Sequence, residues 1–565
     1  MNQRERFYAY EQVLQSCYLT PSKLAPIYHH MPLKIQTKYG RYDMMQSYNY
    51  HRHDSARQTR NIKIKMVSNN KNFSLLGSLL LVLCVLILLS QLWGISYTTG
   101  DDKAIAVARY EEGGVLAVAI HGATAQGRFY QLFTYTLVQL PNLFEPFLAL
   151  NITRIISNLL PFLAFYYMTR QLFGTRVAKI ASFVGLGIFE TTGSFNPFHA
   201  LPLWFNTNAF LLMLSIGLYH RRLQQERSLL LPSALFFSSL LFYESFLLYL
   251  PVFGAIYWQV CCSNSPNTDI KNKIVRALKV NQSMLVAVIA YLVLYVAFRA
   301  NFFKPEIVGG GLMFSLAPVS EIVKTIYKFS LGSIAMKVRL PTMDEIISLA
   351  SLFALILTLG LSLALVSTRK RVSASFVRMP LGWLVLLYAA IAPNILYAFT
   401  ERYREWAIGD PCYIGSYYSV YAIALSIALV VTKEFPSFGT MRRNWGVYLS
   451  IMVAFFIAST LNFINTKSYF DYKRLDALHW PAMQAAIPAL KQSNITRLCS
   501  ETFVTHPSDA HYWTYYLKGS LDRDMQVRLL PNFPQHCDGF IEYDVKNNLG
   551  LIKITTNKNV IYSNF

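Results

Sequence analysis

Polar and apolar residues do not alternate at period two through the apolar stretches of this sequence, which excludes a transmembrane barrel. Residues 1–65 lack an apolar h-region, so no cleavable signal peptide is expected, and the first apolar block, Leu75 to Leu92, reads as an uncleaved anchor. The seven cysteines show no spacing suited to zinc. No repeat of fixed period runs along the chain. Carboxylates form no dense cage beyond one adjacent pair, so neither a metal nor a cofactor is expected. Acidic residues are scarce, with 30 Asp and Glu against 52 Lys and Arg, giving a net charge of +22. Such a balance can mark nucleic-acid binding. Here the basic residues sit in short loops between apolar blocks, where membrane orientation requires them, and no nucleic-acid partner is expected.

What the sequence has in quantity is apolar surface: 53% of the 565 residues are hydrophobic and 15% aromatic. The apolar residues come in blocks near the length that crosses a bilayer as a helix, and a bilayer offers the backbone no water to bond with. The blocks are 74–95, 145–168, 177–192, 202–219, 229–243, 246–260, 283–300, 346–367, 380–399, 415–432 and 445–464. The expected fold class is therefore an all-α polytopic membrane protein with about eleven spans and a small C-terminal α/β domain. Residues 1–72 hold twelve Lys or Arg against four acidic residues, form no sizeable core and read as a weakly structured cytoplasmic segment. An alternative start at Met66 would remove most of it.

Placing that segment inside puts the loops with Arg170/Arg176/Lys179, Arg221/Arg222/Arg227, Lys271/Lys273/Arg276, Arg369/Lys370/Arg371 and Lys433/Arg442/Arg443 all in the cytoplasm. The assignment depends on a break at Phe242-Tyr243-Glu244-Ser245, because merging the blocks on either side would invert every later loop. Outside then lie the loop 96–142, residues 301–345, the short loop after Thr400 and the tail 466–565, leaving 73–465 as the transmembrane domain. The tail carries a helical stretch near Trp480 to Leu490, strand-like runs at Phe540–Tyr543 and Leu551–Thr555, and a turn signal at Asn547-Asn548-Leu549-Gly550. Cys499 and Cys537 share this external domain, so a disulfide between them is expected.

The most informative stretch follows the first span: Asp101-Asp102, then Arg109, then Gln126-Gly127-Arg128. A carboxylate at the lipid–water boundary can take a proton from a hydroxyl nucleophile, with the like charge beside it favouring proton uptake. The same pair can equally cap a helix starting at Lys103. In the late outer loop, Glu401-Arg402-Tyr403-Arg404-Glu405-Trp406 sets Arg402 and Arg404 where forked guanidinium bonds would suit a phosphate at headgroup depth. The plain alternative is an interfacial anchor. Glu190 and Glu244, ionisable residues near the outer ends of spans, and His199 in an outer loop complete the candidates, each with a structural alternative as a solvated helix end or a satisfied side chain.

A first span, an acidic pair directly after it, a long outer loop ending in Gln126-Gly127-Arg128, many further spans, a late outer loop with Arg402 and Arg404, and an external tail together resemble the membrane glycosyltransferases of the GT-C fold. The nearest likeness is to bacterial O-antigen glucosyltransferase-like and mannosyltransferase-like members, over roughly residues 74–470. The resemblance implies a polyprenyl-phosphate-linked sugar donor, a glycan or lipid-linked acceptor, membrane lipids as surroundings, and a multi-pass place in the inner (plasma) membrane. It implies Asp101 or Asp102 as base and Arg402 or Arg404 on the lipid phosphate; Arg109, Arg128, Glu190, His199 and Glu244 are expected to contact substrate. Two other classes stay open. A transporter or flippase would explain acidic residues at membrane depth, although paired repeats are not evident. An O-antigen polymerase or ligase would also use outer-face arginines.

Overall fold

In the computed structural model the chain divides into residues 1–64 and 65–565. The structure describes residues 72–95, 102, 106–110, 113–143, 146–189, 196–262, 270–304, 315–332, 342, 348–366, 380–409, 414–435, 438–500, 503, 507–528, 537–546, 549–556 and 560–564. The expected basic segment 1–72 lies outside them except for Asn72.

Each apolar block is helical. The first half of the bundle comprises α1 (Asn72–Ser90), α2 (Gly114–Gln126), α3 (Gln131–Gln139), α4 (Pro146–Phe173), α5 (Thr175–Ile188), α6 (Phe205–Gln224), α7 (Leu230–Leu240), α8 (Leu250–Tyr257), α9 (Ile270–Val280) and α10 (Gln282–Phe302). The second half comprises α11 (Val319–Tyr327), α12 (Leu349–Val366), α13 (Pro380–Ala398), α14 (Glu401–Gly409), α15 (Ile414–Glu434), α16 (Phe438–Arg443) and α17 (Trp445–Ala477). Among the described residues six helices, α1, α4, α10, α12, α15 and α17, are long and apolar enough to cross a membrane by length and composition. The other five blocks, α5 to α8 and α13, are shorter or more polar and pack against these six and one another. A polar face costs little where protein rather than lipid covers it. Exposed stripes such as Val286, Ile289 and Val293 on α10 and Leu75, Leu79, Val82 and Leu86 on α1 mark the lipid-facing surface.

Helix α5 is the hub, buried from Arg176 to Gly187 and packed against α4, α12, α15 and α17. Small residues permit this crowding: a Cβ at Gly187 would fall 2.6 Å from the Phe455 ring. Two cations expected in a cytoplasmic loop are instead built into the bundle. Arg176 Nη2 donates to the carbonyls of Leu365 (2.9 Å) and Phe435 (2.6 Å), at the C-terminal ends of α12 and α15. Lys179 Nζ donates to Ser74 O at 2.6 Å in the first turn of α1. The orphan carbonyls at the C-terminal ends of α12 and α15 need donors, and the helix dipole favours the Arg176 cation there.

The break at Glu244 is present: α7 ends at Leu240, and Glu244–Tyr249 is a 3-10 turn leading into α8. At 1.5 Å per residue α7 spans about 16 Å, roughly half a bilayer core.

Helix α17 runs without interruption through the expected boundary at 465 and delivers the chain to the tail domain. There α18 (His479–Gln492), β1 (Arg497–Cys499), α19 (Pro507–Leu521), β2 (Gln526–Arg528), β3 (Gly539–Lys546), β4 (Leu549–Thr556) and β5 (Val560–Asn564) follow. The sheet order is β2-β1-β3-β4-β5, with β1 parallel to β2 and β3, and β3–β4–β5 antiparallel. The register pairs Lys546 with Leu549 in an antiparallel β3–β4 pair; Asn547 and Asn548 of the expected turn lie outside the described residues. Cys499 and Cys537 are joined, their Cα atoms 5.9 Å apart, within normal bridging range. Trp480, Met483, Trp513, Tyr516, Ile541 and Ile552 form the core of the domain.

Candidate active site

Asp102 is buried, 4% exposed, and its Oδ1 accepts the backbone N–H of Leu201 at 2.7 Å. Leu201 belongs to the loop 196–204 between α5 and α6, whose shape is set by side chains of α4. Asn158 Nδ2 donates to Phe198 O at 2.7 Å, and Arg154 Nε donates to His199 O at 2.8 Å. Arg154 Nη1 also donates to Ile95 O at 2.7 Å, just past the first span. One fully buried guanidinium therefore ties the chain ahead of Asp102 to the loop that bonds Asp102. Leu201 and Leu203 both have positive φ, 47° and 72°, where non-glycine residues are uncommon.

The His199 ring is fully buried against Tyr469 (5.1 Å between centroids) and Phe470 (6.0 Å), and its carbonyl serves Arg154.

A second cluster forms where the segment between α2 and α3 meets the break after α7. Arg128 Nη2 pairs with Glu244 Oε1 at 2.7 Å, and the Tyr130 hydroxyl donates to the other oxygen of Glu244. Gln126 Oε1 accepts from Arg128 Nη1 at 2.9 Å and from Gln131 Nε2 at 2.7 Å. The local sequence accounts for this geometry. Gly127 ends α2 in the left-handed region, φ 66°, where glycine carries no steric cost, and it lies against Phe303, so that a Cβ would fall 3.0 Å from that ring. Burial works against the Arg128 charge, but the Glu244 carboxylate beside it wins and holds the guanidinium firmly protonated. Burial is also the main cause raising the Tyr130 phenol, which stays neutral and able to donate.

An aromatic wall joins the two clusters. Trp204, at the end of the loop that holds Asp102, donates from Nε1 to Phe242 O at 2.8 Å beside the break. It stacks on Phe205, which meets Tyr243 edge-on. Tyr403 of α14 packs edge-on to Tyr397 at 4.8 Å and lies close enough to Arg128 and Tyr243 to influence both electrostatically. The next residue but one to Arg402, Arg404, is engaged in structure: it donates to Ser315 O (3.1 Å), Ala398 O (3.2 Å) and Ser315 Oγ (3.2 Å), capping α13.

Of the residues named from sequence, Arg128 and Glu244 are brought together, and Asp102 bonds the loop that carries His199. Asp101 and Glu190, and the side chains of Arg109 and Arg402, lie outside the described residues. Tyr130, Gln131, Trp204, Tyr403 and Arg154 were not singled out. For Arg154 the signal was available, an arginine inside the otherwise apolar block of α4. Among the described residues no three His, Cys, Asp or Glu side chains gather to hold a metal.

Fold and site define a polytopic helical membrane protein with a small C-terminal α/β domain and a polar, aromatic-walled cluster in its bundle. No protein family model matches the chain, and no curated protein matches it. Among solved structures it is similar to the apo form of the Archaeoglobus fulgidus oligosaccharyltransferase, with 15% identity and a TM-score of 0.37 over 80% of this chain. The match takes in 64% of the archaeal chain, less than two thirds of its length.

Proposed function

We propose that the protein is a membrane glycosyltransferase of the GT-C type, moving a sugar from a polyprenyl-phosphate donor to a hydroxyl acceptor on the extracytoplasmic face. The observation that carries this reading is the loop 196–204, which bonds Asp102 at Leu201 and reaches the Arg128–Glu244 break through Trp204. A carboxylate and a guanidinium are thereby supported by one short wall, as transfer from a lipid phosphate requires.

In this mechanism Asp102, or Asp101 beside it, accepts the proton of the acceptor hydroxyl. The freed oxygen attacks the anomeric carbon from the face opposite the lipid phosphate. The new C–O bond forms as the old one breaks, the electron pair leaves with the phosphate, and the sugar is inverted. Guanidinium groups meet the phosphate charge: Arg402 or Arg404 as the resemblance implies, with Arg128 available if the donor competes for it against Glu244. Arg109, Glu190, Glu244 and His199 are assigned to substrate hydroxyls, with the His199 carbonyl also holding Arg154.

A lipid-linked donor is further supported by an apolar cavity of about 90 Å3 inside the bundle, between α4, α6, α8, α13 and α15. Three tyrosines line it, and their hydroxyls are engaged elsewhere, Tyr249 with Ala389 O, Tyr418 with Phe205 O and Tyr421 with Tyr417. Its walls are dry and suit an isoprenoid chain.

The broken helix at Glu244 is also what a transporter would place at its substrate site. One experiment separates the two: purified protein in nanodiscs with radiolabelled polyprenyl-phosphate hexoses and envelope glycan as acceptor. Label appearing on the glycan, with free polyprenyl phosphate released, supports transfer. Solute movement in proteoliposomes with no glycan labelling would replace it with transport.

A further inference from the structure

The segment that follows Asp102 packs into the core of the tail domain, which Leu150 of α4 also joins. Ala106 and Val107 are buried in the same core as Trp480, Tyr516 and Leu517. Tyr110 meets Tyr516 edge-on, with ring centroids 6.2 Å apart and planes at 78°. Its ring rests on the bare backbone of α19 at Gly519, where a Cβ would overlap it, 2.6 Å from Cε1 and 2.7 Å from Cγ.

Glycine inside a helix is less stable than alanine, so α19 gains nothing of its own from Gly519. What it provides is a seat for the Tyr110 ring. Three residues separate Asp102 from Ala106, so their Cα atoms lie four steps apart along the chain, about 14 Å at full extension. Asp102 is thus fixed from two sides, by the Leu201 N–H within the bundle and by the anchored segment 106–110 within the tail domain.

We infer that Tyr110 is a positioning residue and that its seat on Gly519 makes the tail domain a working part of the transfer site. The inference rests on the reading of Asp102 as the base. Docking of the tail domain sets where that carboxylate stands, and a displaced seat leaves donor binding intact while slowing the chemical step.

The test uses the full chain in nanodiscs, with Gly519→Ala, Tyr110→Ala, the double variant and Tyr110→Phe. Hydrogen exchange at residues 106–110 should rise about tenfold in Gly519→Ala, while strands β3 and β4 stay protected and show the domain folded. With radiolabelled polyprenyl-phosphate hexose, kcat should fall about tenfold with the donor KM unchanged. Tyr110→Phe, which keeps the ring, should behave as the parent. The double variant should lose no more than either single, because both break one contact. Unchanged exchange in Gly519→Ala, or loosened exchange with full kcat, would overturn the inference. Failure of the base assignment reads differently: Asp102→Asn would then keep full activity whatever the exchange data show.

Discussion

Arg128 and Glu244, distant in sequence, form a 2.7 Å ion pair at the point where the helical path breaks after α7. The two side chains retain 26% and 16% of their exposure, so each is largely removed from water. A carboxylate at that depth persists because the guanidinium and the Tyr130 hydroxyl both serve it.

Removing one partner is therefore expected to be worse than removing both. Glu244→Ala strands the Arg128 charge and should cost about 2–4 kcal/mol of stability, somewhat less than for a fully buried pair. The paired replacement Arg128→Met with Glu244→Met should cost clearly less than either single change. Thermal unfolding of the three variants in detergent measures this, and additive losses would show that the pair does not act as a unit.

Arg154 is expected to matter more than its neighbours on α4. Arg154→Met removes donors from Ile95 O and His199 O, each a charge-assisted bond worth about 1.5–3 kcal/mol, and should release the loop that holds Asp102. Protease sensitivity between residues 190 and 204 should increase, and a variant as resistant as the parent would contradict the assignment.

The Cys499–Cys537 bridge closes a sequence separation of 38 residues. Chain-entropy reasoning gives a stabilisation of about 4 kcal/mol for a loop of that size. The double Cys→Ser variant should lower the unfolding temperature of the tail domain without displacing the membrane helices, and the parent should shift the same way under reduction.

Asp538 accepts from Thr496 and Arg497, and these bonds depress its carboxyl from 3.8 to about 2. A depressed carboxyl stabilises the fold fully above its unfolded value. That contribution should be lost as the pH falls from about 4 towards 2. Asp538→Asn should flatten this part of the stability curve, and an unchanged curve would exclude Asp538 as its source.

The helices were legible because lipid forces each apolar block to bond its own backbone, and the blocks coincide with α1, α4 to α8, α10, α12, α13, α15 and α17. The Glu244 break was legible for the same reason: a charge and a register of loop signs both required it. Arg176 and Lys179 were read as loop cations, yet both are buried, because loop-charge counting cannot see a carbonyl at the end of another helix. Likewise Gln126-Gly127-Arg128 stood out as a motif, but its partner did not, since nothing local in sequence ties Arg128 to Glu244. The seat of Tyr110 on Gly519 is of this kind too: it lies between two domains whose sequences carry no shared pattern.

The proposed chemistry rests on the carboxylate that follows the first span, Asp102 with Asp101 beside it. Asp102→Asn and the double Asp101→Asn, Asp102→Asn variant keep the shape of the side chains and remove their basicity. Purified in nanodiscs with polyprenyl-phosphate hexose and acceptor glycan, both should bind donor and unfold like the parent, with transfer reduced at least a hundredfold, the scale of a lost general base. Full transfer by the double variant would contradict the account.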